Sequence, residues 1–433
     1  MNYAEAIQFL YGLRLFGAKF GLENTFKLTA LADHPQDRLR FIHVAGTNGK
    51  GSTCAMLESI YRETGLHTGL FTSPHLVSFR ERIQVNRQLV SENEVVRLVE
   101  EIQPLLKQFP AGHHPTFFEV VTVMALKFFA KQKCDLVIWE TGLGGRLDAT
   151  NIVTPLASVI TNIALDHEQW LGDTLAKIAA EKAGVIKPGV PVITAADEPE
   201  ALGVIEKTAR EKNAPLTLLT TYEVQSRLAG TLAPPLPGEH QKINAALAMA
   251  TVNVLRSKIP ASDETIRVGL SKVDWPGRLQ VVTRSSGQKV LLDGAHNVAG
   301  AKVLRAALEK DFQFPRYTLI LGVFQDKDWR HICETLAPLA ARIFTVPVSS
   351  ERSADARELA AACRAANPVA GIAACSSLRE ALEKTAGDDF VVVTGSLYLV
   401  GEALELAGLS PANGGERALN EWTTKTPRAN NLI

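Results

Sequence analysis

The sequence predicts an α/β protein of two unequal units, each a mainly parallel sheet covered by helices. Three observations predict it. Short apolar, branched runs alternate with helix-patterned segments along the chain, as strand–helix–strand units do. Glycine-rich or polar loops directly follow several of those runs, where parallel sheets collect ligands. The chain of 433 residues is also longer than one ordinary hydrophobic core accommodates.

The elements follow in order. Phe41–Ala45 is an apolar run that enters a glycine loop, and residues 52–64 then read as a helix. Residues 135–140 form a second strand, again running into a glycine loop. Residues 156–162 are a further buried strand, followed by a helix over 174–183, and residues 191–195 repeat the pattern. Trp275-Pro276-Gly277-Arg278 punctuates the chain, so a boundary is expected there. Beyond it, residues 290–293, 317–323, 342–346 and 390–394 read as strands of the second unit, with a helix over 299–308. The tail from Ser410 is polar and rich in Asn, Thr and Pro, and is expected to pack loosely.

Composition excludes several functions. Lys plus Arg and Asp plus Glu are 46 each, for a formal net charge of zero, so broad attraction to nucleic acid or anionic lipid is not expected. Hydrophobic residues at 46% are ordinary for a globular protein, and no apolar run approaches the ~20 residues that span a bilayer. The N-terminus lacks the basic flank and apolar stretch of a signal peptide. Five cysteines without metal-site spacing fit reduced thiols in a cytoplasmic protein. No exposed heptad marks an oligomer interface, and a monomer is expected.

The loop from Gly46 to Thr53 carries the strongest chemical signal. Glycines let successive amides turn toward an anion, and the following helix start adds free N–H groups and partial positive charge. Lys50 can reach phosphate oxygens, and the Ser52 hydroxyl can ligate magnesium. Gly51 stands between Lys50 and Ser52, where the usual P-loop has none.

That variant, Gly-Thr-Asn-Gly-Lys-Gly-Ser, resembles the folylpolyglutamate and dihydrofolate synthases of the Mur ligase superfamily. Further segments resemble the same family in the same order. They are residues 71–85, Thr116 to Glu119, the acidic glycine loop from Glu140 to Asn151, Asp166-His167, Glu181-Lys182, Asp293 to Asn297, and Thr394 to Ser396. The resemblance implies a P-loop NTPase-like parallel-sheet N-terminal domain, residues 1–279, and a smaller Rossmann-like α/β C-terminal domain, residues 280–433. It also implies an ATP-dependent amide ligase that adds L-glutamate to dihydropteroate, to folates, or to both, through an acyl phosphate.

The resemblance assigns the site residue by residue. Gly49, Lys50, Gly51, Ser52, Thr53, Asn244, Arg278 and Asp293 are expected around ATP. Ser52, Ser73, Glu140 and His167 are expected to hold magnesium, as two ions. Lys182 is expected to carry a carbamate, which turns its cationic end anionic; an ordinary surface lysine paired with Glu181 is the plain alternative. Lys50, Lys182 and His296 are the expected catalytic groups. His296 and Ser396 are placed with the incoming glutamate. Thr116, Phe117, Phe118, Glu119, Leu147, Asp148 and Ala149 are placed with the pterin, the phenylalanines stacking on it and Asp148 accepting its N–H groups.

Three rivals stay open. A cell-wall Mur ligase would carry a further domain before its P-loop, for which the residues before Gly46 are too few. A folylpolyglutamate synthase without the dihydrofolate activity uses the same groups. A nucleotide-dependent switch would not need the polar motifs of the second unit.

Overall fold

The computed structural model describes residues 1–14, 21–110, 112–228, 236–312, 317–409 and 415–420. Its strands are β1 (Phe41–Ala45), β2 (Thr68–Phe71), β3 (Ile83–Val85), β4 (Gln88–Leu89), β5 (Leu136–Glu140), β6 (Ala157–Ile160), β7 (Val192–Thr194), β8 (Leu216–Leu218), β9 (Gln280–Thr283), β10 (Lys289–Leu292), β11 (Tyr317–Leu321), β12 (Ala340–Thr345), β13 (Gly371–Ala374) and β14 (Phe390–Thr394). They form one sheet in the order β4-β3-β2-β5-β1-β6-β7-β8 and a second in the order β13-β12-β11-β14-β10-β9.

The expected alternation holds through the parallel centre of each sheet and fails at its edge. β3 pairs antiparallel with β2, and β4 with β3. In the second sheet β9 pairs antiparallel with β10. These strands are two to four residues long, and the outermost, β4 and β9, are only partly buried, so they lack the continuous apolar run that marks a parallel-sheet interior.

Both faces of the first sheet are covered. On one, the helix Phe117–Lys131 packs Val120, Val121 and Met124 against Phe71, Trp139 and Phe41. On the other, the helices Lys50–Glu63 and Glu239–Leu255 bury Met56, Ile60, Leu247 and Val252 against β1, β5 and β6. Trp139 is fully buried, stacks 4.5 Å from Phe71 and donates its indole N–H to the Thr150 carbonyl at 2.9 Å, so its polar atom is satisfied inside the core. The second sheet is likewise sandwiched between two clusters, around Leu291, Leu319 and Val392 on one face and Ile320, Val391 and Val393 on the other.

The two sheets meet with the carboxyl ends of their strands around one cleft. The joint is Gly277, whose left-handed backbone (φ 72°) sits against Val400 and Leu76 with no room for a side chain.

The tail expectation needs correcting. Residues 410–414 and 421–433 lie outside the described residues. Glu416–Asn420 between them is a buried 3₁₀ turn rather than loose chain. The Glu416 carboxylate accepts from the Phe79 N–H at 2.6 Å and from the Ser78 and Tyr3 hydroxyls at 3.1 Å. Asn420 donates to the His75 carbonyl and accepts from Arg82. The polarity that suggested a loose tail is spent on a specific dock.

Candidate active site

The phosphate loop leaves β1 and ends on Gly49, which caps the helix Lys50–Glu63 in the left-handed region (φ 85°) and offers no side-chain cap. The first amides of that helix are therefore free for an anion. Lys50 folds back and donates to the carbonyls of Gly46 and Thr47 at 3.1 and 3.2 Å. The inserted Gly51 has a packing reason: a Cβ there would lie 2.9 Å from the Trp275 indole. Thr53 is fully buried and directs its hydroxyl at Asn244. Asn244 does not face solvent, as a helical Asn often does. It is buried against Gly49 and donates to Gln241, whose amide in turn reaches the Ser52 hydroxyl at 3.3 Å.

Three neighbouring strand ends add polar groups. Glu140 ends β5 and is 4% exposed, its Oε2 accepting from the Ser73 N–H at 3.0 Å. Burial pushes its carboxyl up to about 7, against the opposing pull of Lys50, Arg278 and Arg82. Its Oε1 takes no hydrogen bond from a described residue, so a buried carboxylate is short of partners beside Ser52 and Ser73. Hard oxygen donors around an under-satisfied carboxylate suit magnesium. Among the described residues no three His, Cys, Asp or Glu side chains gather into a metal cluster, so water or phosphate oxygens would have to complete the shell.

Lys182 is not a surface residue. It is 4% exposed and donates to the Gly46 carbonyl at 2.8 Å, while Glu181 pairs instead with Arg146. Burial, with Lys50 nearby, lowers its ammonium to about 7. The neutral amine is therefore far more populated at neutral pH than in an exposed lysine.

Asp166, beyond β6, joins the two sheets, a role the sequence reading did not give it. Its Oδ1 accepts from Lys327 at 2.5 Å and from the His167 N–H at 2.9 Å; its Oδ2 accepts from Asn297 at 3.1 Å and lies 3.7 Å from His296 Nε2. Burial works against ionisation, but Lys327, His167 and His296 hold this carboxyl well below the usual range. Lys327 Nζ also stands 3.5 Å from His167 Nε2, so an ammonium occupies the side of His167 where a metal was expected. Lys327 was missed too; its signal is a charged Gln325-Asp326-Lys327-Asp328 loop directly after an apolar strand. Burial lowers His167 to about 3 and His296 to about 4. His296 donates from Nδ1 to the Gly294 carbonyl at 2.8 Å, which leaves Nε2 as the lone-pair atom facing Asp166.

On the second sheet, Asp293 directly follows β10 and holds the joint, accepting from the N–H groups of Leu279 and Ala295, both at 3.0 Å. Arg278 faces this carboxylate and Glu140, and burial lowers its pKa. Ser396 is 1% exposed and caps the helix Leu397–Leu406, its hydroxyl accepting from the Tyr398 N–H.

The expected pterin segment is placed along the same cavity, with structural duties of its own. Thr116 and Glu119 form a capping box for the helix Phe117–Lys131. Phe117 is almost buried under Arg82, 5.4 Å above its ring, and Phe118 packs on Phe71 and against Gly142. Asp148 is already engaged: Oδ1 accepts from the Thr150 N–H and hydroxyl, and Oδ2 from the Leu143 N–H at 2.7 Å. Asp148 thus closes its own loop, and a pterin N–H would share oxygens that already accept bonds. Leu147 and Ala149 flank it.

Of the site residues expected from the sequence, all but the fully buried Thr53 line one cavity of about 630 Å³, shared by the two sheets. It is of ligand size and combines a phosphate loop on one wall with a histidine and a helix-start serine on the other.

Comparison with known proteins settles the family. Residues 44–252 match the Mur ligase middle domain, and residues 277–397 the Mur ligase glutamate ligase domain. The chain is 36% identical over 422 residues to the dihydrofolate synthase/folylpolyglutamate synthase of Bacillus subtilis (strain 168), covering 92% of this chain and 98% of that protein. This chain belongs to the folylpolyglutamate and dihydrofolate synthases of the Mur ligase family. It superposes on Mycobacterium tuberculosis folylpolyglutamate synthase complexed with ADP with a TM-score of 0.85 at 29% identity, over 95% of this chain and 100% of that one. It is likewise similar to E. coli FolC in complex with DHPP and ADP, with a TM-score of 0.83 and 31% identity over 94% and 97% of the chains. The family's members are ATP-dependent, ADP-forming ligases, and this chain is one of them. No described helix is long and apolar enough to cross a membrane.

Proposed function

We propose that this enzyme adds L-glutamate both to dihydropteroate and to folates, at one site, through an acyl phosphate. The observation that carries the reading is that the phosphate loop and the His296–Ser396 wall open onto one cavity, joined by Asp166. The domains divide at residue 279, into 1–279 and 280–433; the family matches at 44–252 and 277–397 support two domains that meet close to that residue.

The amides after Gly46, with Lys50 swung out from its own loop, hold the ATP phosphates; Thr53, Asn244, Arg278 and Asp293 complete the nucleotide site. Ser52, Ser73 and Glu140 hold magnesium, which supplies charge neutralisation at the transferring phosphoryl group. A second ion at His167 requires Lys327 to move away. A carboxylate oxygen of the substrate attacks the γ-phosphorus and ADP leaves. Neutral His296 takes a proton from the glutamate amine through Nε2, the amine attacks the acyl carbon, and phosphate leaves. Phe117, Phe118, Leu147 and Ala149 pack on the pterin. Its polar edge meets Thr116, Glu119 and Asp148 with whatever acceptor capacity their loop bonds leave.

Lys182 fits carbamylation because only a neutral amine adds to carbon dioxide: the new N–C bond forms, one proton is released, and the product is anionic. Five buried cysteines outside any disulfide support a cytoplasmic location.

The test is product mass after incubation with ATP, magnesium, glutamate and either dihydropteroate or tetrahydrofolate. One added glutamate on both, with ADP released, is the expected result. Addition to folate alone assigns the narrower folylpolyglutamate synthase. ATP turnover with neither product returns the switch reading and removes this one.

A further inference from the structure

Glutamate brings two carboxylates, and the groups assigned to it so far bring no fixed charge. His296 is held neutral, and Ser396 offers a hydroxyl at a helix start. Lys327 is committed to Asp166. One further cation lines the same cavity from the same sheet. Arg352 lies in the loop after β12, its side chain 26% exposed.

Its geometry is fixed from three sides. Asp326 holds the Nε and Nη2 edge of the guanidinium at 3.1 and 2.6 Å. The guanidinium stands 4.5 Å over the ring of Phe324, which packs edge-on against Tyr398 at 5.0 Å. The backbone is pinned where the Gln325 N–H donates to the Arg352 carbonyl at 2.8 Å and the Ala354 N–H to the Val323 carbonyl at 2.9 Å. The opposite edge, Nη1 with the second proton of Nη2, makes no hydrogen bond to a described residue. A planar two-donor edge of this kind matches a carboxylate.

Strand order sets the direction. Because β12, β11, β14 and β10 are successive neighbours, Arg352, Lys327, Ser396 and His296 lie in that order along one sheet edge. The edge that runs from His296 past Ser396 and Lys327 leads to Arg352, and we lay the amino acid along it with its amine at His296. We infer that Arg352 binds the side-chain carboxylate of the incoming L-glutamate and so sets the enzyme's preference for that amino acid. This rests on the ligase reading above.

The test is steady-state kinetics on Arg352→Gln and Arg352→Lys at saturating ATP and tetrahydrofolate, with glutamate and, separately, glutamine as the varied amine, and then with ATP varied at saturating glutamate. Loss of a charge-assisted bond predicts a glutamate KM about tenfold or more higher in Arg352→Gln. The ATP KM stays within about twofold, and the preference for glutamate over glutamine falls by about the same factor as glutamate binding. Arg352→Lys, keeping charge but not the fork, falls between. An ATP-induced thermal shift equal to that of the parent protein verifies folding; if Arg352→Gln fails it, Arg352→Lys carries the comparison. An unchanged glutamate KM and unchanged glutamate-to-glutamine ratio overturn the inference. So does an equal rise in all three KM values, which marks Arg352 as a structural brace. A parent enzyme that adds no glutamate at all fails the ligase reading instead, before any variant is made.

Discussion

Among the described residues, Lys50 hydrogen-bonds only within its own loop, so its removal separates chemistry from folding. Lys50→Ala is expected to lower acyl phosphate formation by at least about a hundredfold, the cost of one preorganised charge on the transferring group. Stability should stay within about 0.5 kcal/mol, because only two loop carbonyls lose a donor. Normal ligation by this variant would break the phosphate-loop assignment. Lys182 gives the pH prediction. Its amine is lowered to about 7 by burial, so the neutral form, and with it the carbamate, grows as pH rises through about 7 at fixed dissolved carbon dioxide. Intact mass under bicarbonate at pH 6 and pH 8 checks this; equal carbamate at both sinks it. These two residues were legible because a motif named them. Asp166 was quoted without a role, and Lys327 went unread, because their value comes from a contact 161 positions apart in sequence.

The central parallel strands β1, β5, β6, β7, β10, β11, β12 and β14 were legible as elements because they are largely buried, which writes an apolar run into the sequence, whereas the parallel strands β2, β8 and β13 went unread, the last two being only partly buried. β3, β4 and β9 were not, since short edge strands carry no such run. The turn Glu416–Asn420 was misread for a related reason: its partners are backbone N–H groups and hydroxyls, so burial there selects polar residues. Gly51 shows the same principle at a helix start. Sequence marked it as a departure from the usual loop, while only packing explains it. Gly51→Val would drive two methyl groups into Trp275, itself stacked 5.0 Å under Arg87. The expected cost is about 1–3 kcal/mol of overpacking, with ATP binding weakened because the helix start shifts. Thermal denaturation with and without ATP measures both, and a variant with the parent's stability and nucleotide shift would show that Trp275 simply moves aside.

At the scale of the molecule, the decisive feature is that neither unit holds the whole site. In the proposed mechanism the first supplies phosphate and magnesium groups and the second the amine side; Asp166 ties the two units through Lys327, Asn297 and the neighbourhood of His296. The Lys327–Asp166 pair is almost wholly buried, with side chains 7% and 8% exposed. Removing one partner of such a pair costs about 3–5 kcal/mol, because the other charge is stranded. Asp166→Asn should therefore lower the denaturation midpoint and slow amide formation more than ATP binding, since Lys327 and Asn297 lose the contact that sets one wall against the other. The double variant Asp166→Asn with Lys327→Met removes the stranded charge along with the pair. It is expected to recover most of the stability without recovering turnover, and chemical denaturation of the four proteins of that cycle measures the coupling. Recovery of both would make the pair a packing device alone. Recovery of neither would place the cost in the lost bonds to Asn297 and His167. The predicted split, stability regained and ligation still slow, is the outcome that makes this ion pair the alignment between the two halves of the reaction.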